Sequence, residues 1–272
     1  IQMFLSPHIL SRLFPKQRLR GALFAVAAGF CLPVCDCASI PIFRSLLRKG
    51  VPVSSAVTFM LVTPIINPVV LMSTWYAWRD WRFVACRAGL GIFCSILIGL
   101  TFCRTSAKET GSSLDLSSLL CSCGMGTPAA SGRSGKFFAY LRHTQTEFFN
   151  VGKYLMAGAF VSAVLQSVFK TGNAHSLGGL AGSLLVMMGL AFLLSLCSSS
   201  DAVVARSFSN TVPTGAVMGF LVFGPMLDIK NVIMLSGSLP QRFLLRLGLT
   251  VFLVDFAVLF LAFHFGLGVF LG

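Results

Sequence analysis

Apolar residues in this chain run together instead of alternating with polar ones. Long apolar stretches occupy 53 to 78, 83 to 103, 148 to 170, 177 to 196, 213 to 236 and 243 to 271. Most are near the roughly 20 residues that a helix needs to cross the hydrocarbon of a bilayer. In lipid each backbone polar group must be satisfied within its own segment, so the predicted fold is all-α, a polytopic transmembrane helix bundle. Two further apolar pieces are too short to cross alone. The first, 21 to 34, rises about 21 Å at 1.5 Å per residue and is closed by Pro33. The second, 38 to 49, ends in Arg48-Lys49-Gly50.

Between these two pieces stands Cys35-Asp36-Cys37, and the same broken pattern returns later in the chain. Cys35, Arg44 and Ser45 recur as Cys197, Arg206 and Ser207, 162 residues on; Pro52, Phe59 and Pro64 recur as Pro213, Phe220 and Pro225, 161 residues on. One deletion accounts for the slip. Apolar segments interrupted at corresponding places by Pro, Gly and polar residues are the sequence sign of a repeat-built transporter, with its binding site at the interruptions. The predicted helix breaks are Pro64 and Pro68 in the first copy and Gly224 and Pro225 in the second.

Charge decides how the copies are oriented. Hydrophobic residues make up 56% and charged residues 11% of the chain, and the net charge is +13. The Lys and Arg residues lie between the apolar stretches, where they act as topology signals, so nucleic acid is not an expected partner. If both broken segments dip into the membrane and return as hairpins, one side gathers fifteen of these cations. They include Arg12, Lys16, Arg44, Arg48, Lys49, Arg104 and Arg246. The other side keeps five, Arg79, Arg82, Arg87, Lys170 and Arg206, with Lys230 left inside a span. If both segments cross fully, the same twenty split evenly. The positive-inside rule prefers hairpins. Three spans (53 to 78, 83 to 103, 148 to 170) then separate the two breaks, and an odd number inverts one copy relative to the other. The predicted organisation is a basic interfacial segment (1–20), a first repeat of hairpin plus two transmembrane helices (21–103), a cytoplasmic Ser/Gly-rich loop (104–147) and a second repeat (148–272). The second repeat holds a transmembrane helix, a hairpin and two transmembrane helices. The chain opens on Ile1 rather than Met, as expected of a fragment lacking an upstream helix.

Candidate chemistry clusters at the breaks. Soft thiolates select soft ions such as zinc, copper(I) and, by the same logic, trivalent arsenic, so Cys35 and Cys37 are candidate metal or soft-ion ligands, joined by Cys197 from the second copy. The alternative is that these small apolar residues only pack. Asn67 and Asp228 stand at matching positions of the broken spans, and Asp228 shares a helical face with Asn231 while Lys230 points elsewhere. With the thiols, Asn67, Asp228 and Asn231 make up the predicted substrate-binding set. Asp36, Asp201, Lys230 and Asp255 are the predicted charge-relay or pairing residues, with Lys230 expected opposite Asp36 or Asp201. An ion pair that merely locks the fold is the plainer reading. Cys121 and Cys123 in the loop read as incidental, and Cys86, Cys94 and Cys103 as packing residues. No phosphate-binding loop and no Ser with a nearby His or Lys base appears, so neither an enzyme nor a cofactor is expected.

At these residues the chain resembles the predicted-permease family that includes the organoarsenical efflux permease ArsP. The likeness lies in Cys35-Asp36-Cys37-Ala38-Ser39-Ile40-Pro41 through Gly50-Val51-Pro52, then Phe59 and Pro64-Ile65-Ile66-Asn67-Pro68. In the second half it lies in Asp201-Ala202, Gly215-Ala216, Phe220, Gly224-Pro225-Met226-Leu227-Asp228 and Lys230-Asn231. It implies a multi-pass permease of the bacterial inner membrane that exports a trivalent arsenical or another small thiophilic solute through cysteine thiols. Asp36 between the cysteines and the Asn-Pro ending are more similar to an uncharacterised branch encoded beside a small partner membrane protein. Two readings of other classes stand beside this one: a membrane thiol-disulfide oxidoreductase using Cys35 and Cys37, and a non-transporting subunit of a membrane complex.

Overall fold

The computed structural model describes residues 18–32, 34–104, 179–209, 212–237 and 239–266. The loop beyond Arg104, the predicted span 148–170 and most of the basic segment 1–20 lie outside the described residues, as do Cys121 and Cys123. Every regular element among those described is helical. The first half runs α1 (Arg18–Cys31), α2 (Asp36–Arg48), α3 (Val53–Ile66), α4 (Pro68–Trp78) and α5 (Trp81–Thr101), closed by a 3-10 turn at Phe102–Arg104. The second half runs α6 (Gly179–Leu194), α7 (Asp201–Phe208), α8 (Thr214–Met226), α9 (Ile229–Ser236) and α10 (Gln241–His264). The order is the same twice: a short helix, a break, a second short helix, a long helix broken midway, then an unbroken long helix.

Among the described residues, four helical stretches are long and apolar enough to cross a membrane: Val53–Trp78 (α3 with α4), Trp81–Thr101, Thr214–Ser236 (α8 with α9) and Gln241–His264. Their bounds follow local chemistry. The span expected from residue 83 begins at Trp81, because Asp80 caps it, its Oδ1 accepting from the Arg82 N–H at 2.9 Å. The stretch expected to cross at 177 to 196 condenses to the 16 residues of α6. That length rises only about 24 Å and falls short of the hydrocarbon thickness, as do α1 and α2.

The broken spans break later than their prolines. Pro64 and Pro225 sit inside the last turns of α3 and α8, where each only removes one helical N–H. The chain leaves helical geometry three residues after Pro64, at Asn67 (φ −54°, ψ 129°), and two residues after Pro225, at Leu227 and then Asp228 (ψ 114° and 171°). Pro68 forces the first, since a residue before proline is driven out of the α region, and Pro68 itself opens α4 at N1. Both breaks are capped by their own side chains. Asn67 Oδ1 accepts from the Val69 N–H at 3.0 Å, and Asp228 Oδ1 from the Asn231 N–H at 2.6 Å.

Packing repeats as well. The α1 helix lies along α3 and α6 along α8, and α5 and α10 each back the broken span of their own half. Glycine permits the closest approaches. A Cβ on Gly29 of α1 would stand 2.9 Å from Thr63 Oγ1 of α3, and one on Gly219 of α8 would collide with Leu184 of α6. Lipid gives apolar helices no reason to associate through burial alone, so such small-residue contacts carry the packing. The halves also interlock, with α7 against α4, α2 against α9, α3 against α8 and α5 against α10.

The ends of the bundle are marked by aromatics. All three tryptophans stand at the α4–α5 turn, where Trp75 stacks on Trp81 and Trp78 on Phe83. The Arg206 guanidinium of α7 lies 4.9 Å over Trp78, placing the C-terminal end of α7 beside the C-terminal end of α4. At the other end of α5, Phe102 meets Phe243 edge-on and Arg246 covers it, so the start of α10 lies there.

Candidate functional site

Two breaks separate the short helices, one at Val34–Cys35 and one at Ser195–Ser200. Each is fastened by the broken span of its own half. Asn67 Nδ2 donates to the Val34 carbonyl at 3.1 Å; in the second half Lys230 Nζ donates to the Leu196 carbonyl at 3.0 Å. Ser195 adds a second tie, its Oγ accepting from the Lys230 backbone N–H at 3.3 Å. The halves are also cross-tied, because Ser73 of α4 donates to the Ser199 carbonyl.

Lys230 then reaches across. Its ammonium lies 3.5 Å from Asp36 Oδ2, in the first turn of α2, and 3.3 Å from Asp228 Oδ2. Asp36, Asp228 and Lys230 are all buried. The expected pairing of Lys230 with a hairpin carboxylate is therefore present, with Asp36 as the partner. The expectation that Lys230 points away from Asp228 is corrected. Asp228 caps α9 from outside the helix instead of occupying a helical position, so its free oxygen swings over the first turn, where Lys230 lies. Asn231 is buried in that turn, and its Oδ1 accepts no hydrogen bond.

Asp201, buried in the first turn of α7, interacts electrostatically with Asp36, Asp228, Lys230 and Arg87. Arg87 is the residue that sequence reasoning placed wrongly. It was counted with the turn cations Arg79 and Arg82, yet it is 0% exposed, on the inner face of α5. Its Nη1 donates to Thr74 Oγ1 of α4 at 2.6 Å, while Nε and Nη2 find no hydrogen-bond partner among the described residues. The signal lies in the register. Arg87 falls in line with Val84, Gly91, Cys94, Ser95 and Ile98, the buried stripe at helical spacing, so it belongs to the bundle interior. Asp36, Asp228 and Lys230 thus form one buried ionic cluster, with Asp201 and Arg87 buried on neighbouring elements.

The thiols border this centre. Cys35 precedes α2 as its N-cap residue and reaches the surface. Cys197 does too, its Sγ 3.4 Å from Ser199 Oγ. The Cys37 side chain lies outside the described residues. Among those described, no three His, Cys, Asp or Glu side chains converge closely enough to hold a metal ion. A small cavity of about 10 Å³, enough for roughly one water, lies between the first turns of α2 and α9, lined by Ser39 and Asn231 with Met60 and Met226. Asp255 is elsewhere, fully buried on α10 and facing Cys94 of α5.

Paired broken spans, short helices meeting them at their breaks, and ionisable residues held inside the bundle define a multi-pass helical membrane protein built as a permease. The chain belongs to the predicted-permease family, whose model matches residues 1–263. It is 43% identical over 249 residues to the UPF0718 protein YcgR of Bacillus subtilis, covering 91% of this chain and 83% of that one. It is 34% identical over 256 residues to a protein of Streptococcus mutans named as a putative two-component membrane permease complex subunit, covering 90% and 81%. Identity to the UPF0718 protein YraQ of Escherichia coli is 24% over 264 residues, covering 92% and 70%. No solved structure matches the chain.

Proposed function

We propose that this permease exports a small thiophilic solute, a trivalent arsenical or another soft ion, across the bacterial inner membrane by alternating access. The two halves form an inverted-topology repeat whose short helices are re-entrant hairpins meeting near mid-depth. The observation that carries this reading is Lys230, whose ammonium contacts both the Leu196 carbonyl of one break and Asp36 beside the other. Inversion is supported by where the hairpins end. The α7 helix finishes against the Trp-rich turn, while α2 leads through a four-residue connection into the opposite end of the α3–α4 span. Trp clusters mark membrane–water boundaries.

The path runs past the exposed thiols Cys35 and Cys197, with Cys37, and along the polar cap residues Asn67, Asp228 and Asn231. Thiols hold the soft solute, and the buried charges of Asp36, Asp201 and Lys230 compensate one another as the halves rock, while Asp255 on α10 is a separate protonatable carboxylate. Uptake of trivalent arsenicals and other soft ions into everted vesicles, with wild type and Cys35→Ser, tests it. The wild type accumulates at least one of these solutes and Cys35→Ser loses that accumulation. Unchanged accumulation across the panel overturns the soft-solute reading, and transport that survives Cys35→Ser removes this thiol from the mechanism.

A second reading is favoured by the Streptococcus mutans relative, whose name makes it a subunit of a two-component permease complex. On that reading this chain also works with a partner membrane protein. Transport measured with and without the adjacent gene product separates the two.

A further inference from the structure

The tie between Lys230 and Asp36 joins a cation of the second half to the hairpin carboxylate of the first. The mirror arrangement is Arg87, a cation of the first half, with Asp201, the hairpin carboxylate of the second. Both carboxylates occupy the first turn of the second short helix of their hairpin, and both are buried. Arg87 is held by Thr74 of α4, and the adjacent Ser73 donates to the Ser199 carbonyl, two residues before Asp201, so cation and carboxylate flank the same stretch of α4. The two pairs differ in one respect. Lys230 is in ion-pair contact with Asp36 at 3.5 Å, whereas no ion pair joins Arg87 to Asp201 among the described residues, where Arg87 Nε and Nη2 and Asp201 Oδ2, like both Asp36 oxygens, are buried without hydrogen-bond partners.

A fully buried guanidinium that leaves two donors unused, near a buried carboxylate that leaves an acceptor unused, is costly in this conformation, and that cost favours a conformation that joins them. We propose that Arg87 is a positioning residue of the transport cycle, which seizes the second hairpin through Asp201 when Lys230 releases the first hairpin from Asp36. One tie is made in each of the two access states. The inference rests on the reading of the halves as units that rock against each other. It adds to that reading a residue on α5 and a rule of alternation. Each state then joins one cation–carboxylate pair and leaves the other apart, while Lys230 stays beside Asp228. Bistable packing of this kind is what lets a small local change become a large movement.

Modification of Cys35 and Cys197 at the two breaks reports the states. Membrane vesicles of both orientations, carrying the full-length protein, are treated with an impermeant maleimide, and each site is quantified by peptide mass spectrometry. Asp36→Asn unties the first hairpin and should shift the Cys35 to Cys197 labelling ratio by about tenfold or more, the scale on which a two-state equilibrium moves when one state loses a buried contact. Asp201→Asn should shift the ratio in the opposite direction, Arg87→Gln should match Asp201→Asn, and their double variant should go no further than either single. Arg87→Lys, which keeps the charge, should restore most of the wild-type ratio even where Arg87→Gln folds poorly. Independent, additive effects of Arg87→Gln and Asp201→Asn overturn the proposal, as does Arg87→Gln shifting the ratio in the direction of Asp36→Asn. If Asp36→Asn moves the ratio and the other variants do not, Arg87 is excluded and rocking survives. If no variant moves it, both fall.

Discussion

Lys230 holds three acceptors at once: Asp36, Asp228 and the carbonyl of Leu196. Its place in the chain, two residues after a capping aspartate, makes this reach possible, since the cap turns the carboxylate over the first turn of α9. Removing the ammonium leaves two buried carboxylates without a counter-ion, a loss worth about 3–5 kcal/mol for a buried pair broken on one side. Lys230→Met should therefore lower the unfolding temperature of the detergent-purified protein sharply. Adding Asp36→Asn should recover part of the loss, because the stranded charge is then removed too. If the double variant melts below the single, the pairing is not what Lys230 contributes. The pairing itself was legible in sequence, because an unexplained Lys inside an apolar span beside a duplicated break demands a carboxylate. Arg87 was not. A topology count assigns each arginine to its nearest turn, and only the register of Arg87 with Val84, Gly91 and Ser95 reveals that it faces inward.

At the scale of the element, Asn67 performs two tasks that one atom each can separate. Its Oδ1 caps α4, and its Nδ2 fastens the first hairpin at Val34. Asn67→Ala should lose both, with the cap contributing about 1 kcal/mol. Asn67→Asp keeps the capping acceptor and loses the donor. Amide hydrogen exchange over residues 34 to 37 should rise in both variants, while the first turn of α4 should exchange faster only in Asn67→Ala. Equal exchange at the hairpin in wild type and Asn67→Asp would show that this bond does not hold the tip. Prolines told where these elements would be interrupted but not where each would end. Pro64 and Pro225 fit within final helical turns, and the break waits for Asn67, held by Pro68, and for Leu227 and Asp228, the latter capping α9. The contraction of 177 to 196 to α6 has a similar origin. Hydropathy continues through Leu196, but the chain turns at Ser195, a left-handed residue (φ 47°) whose hydroxyl is taken by the Lys230 N–H.

For the molecule as a whole, duplication was the most legible property, because matching Cys, Arg, Pro and Phe positions mirror the repeated order of helices. Contacts between halves were not legible, since nothing in one copy's pattern says that α7 should lie on α4 or α2 on α9. From those contacts we propose that two hairpins enter from opposite sides of the membrane and meet at the buried charges. The most direct test uses the residues that close the second helix of each hairpin, Lys49 after α2 and Ser209 after α7. With Lys49→Cys and Ser209→Cys introduced separately, an impermeant maleimide is applied to right-side-out and everted vesicles, and modification is read at each site by mass spectrometry. The account predicts labelling of Lys49→Cys from the cytoplasmic side and of Ser209→Cys from the other. Labelling of both from the same side would contradict it.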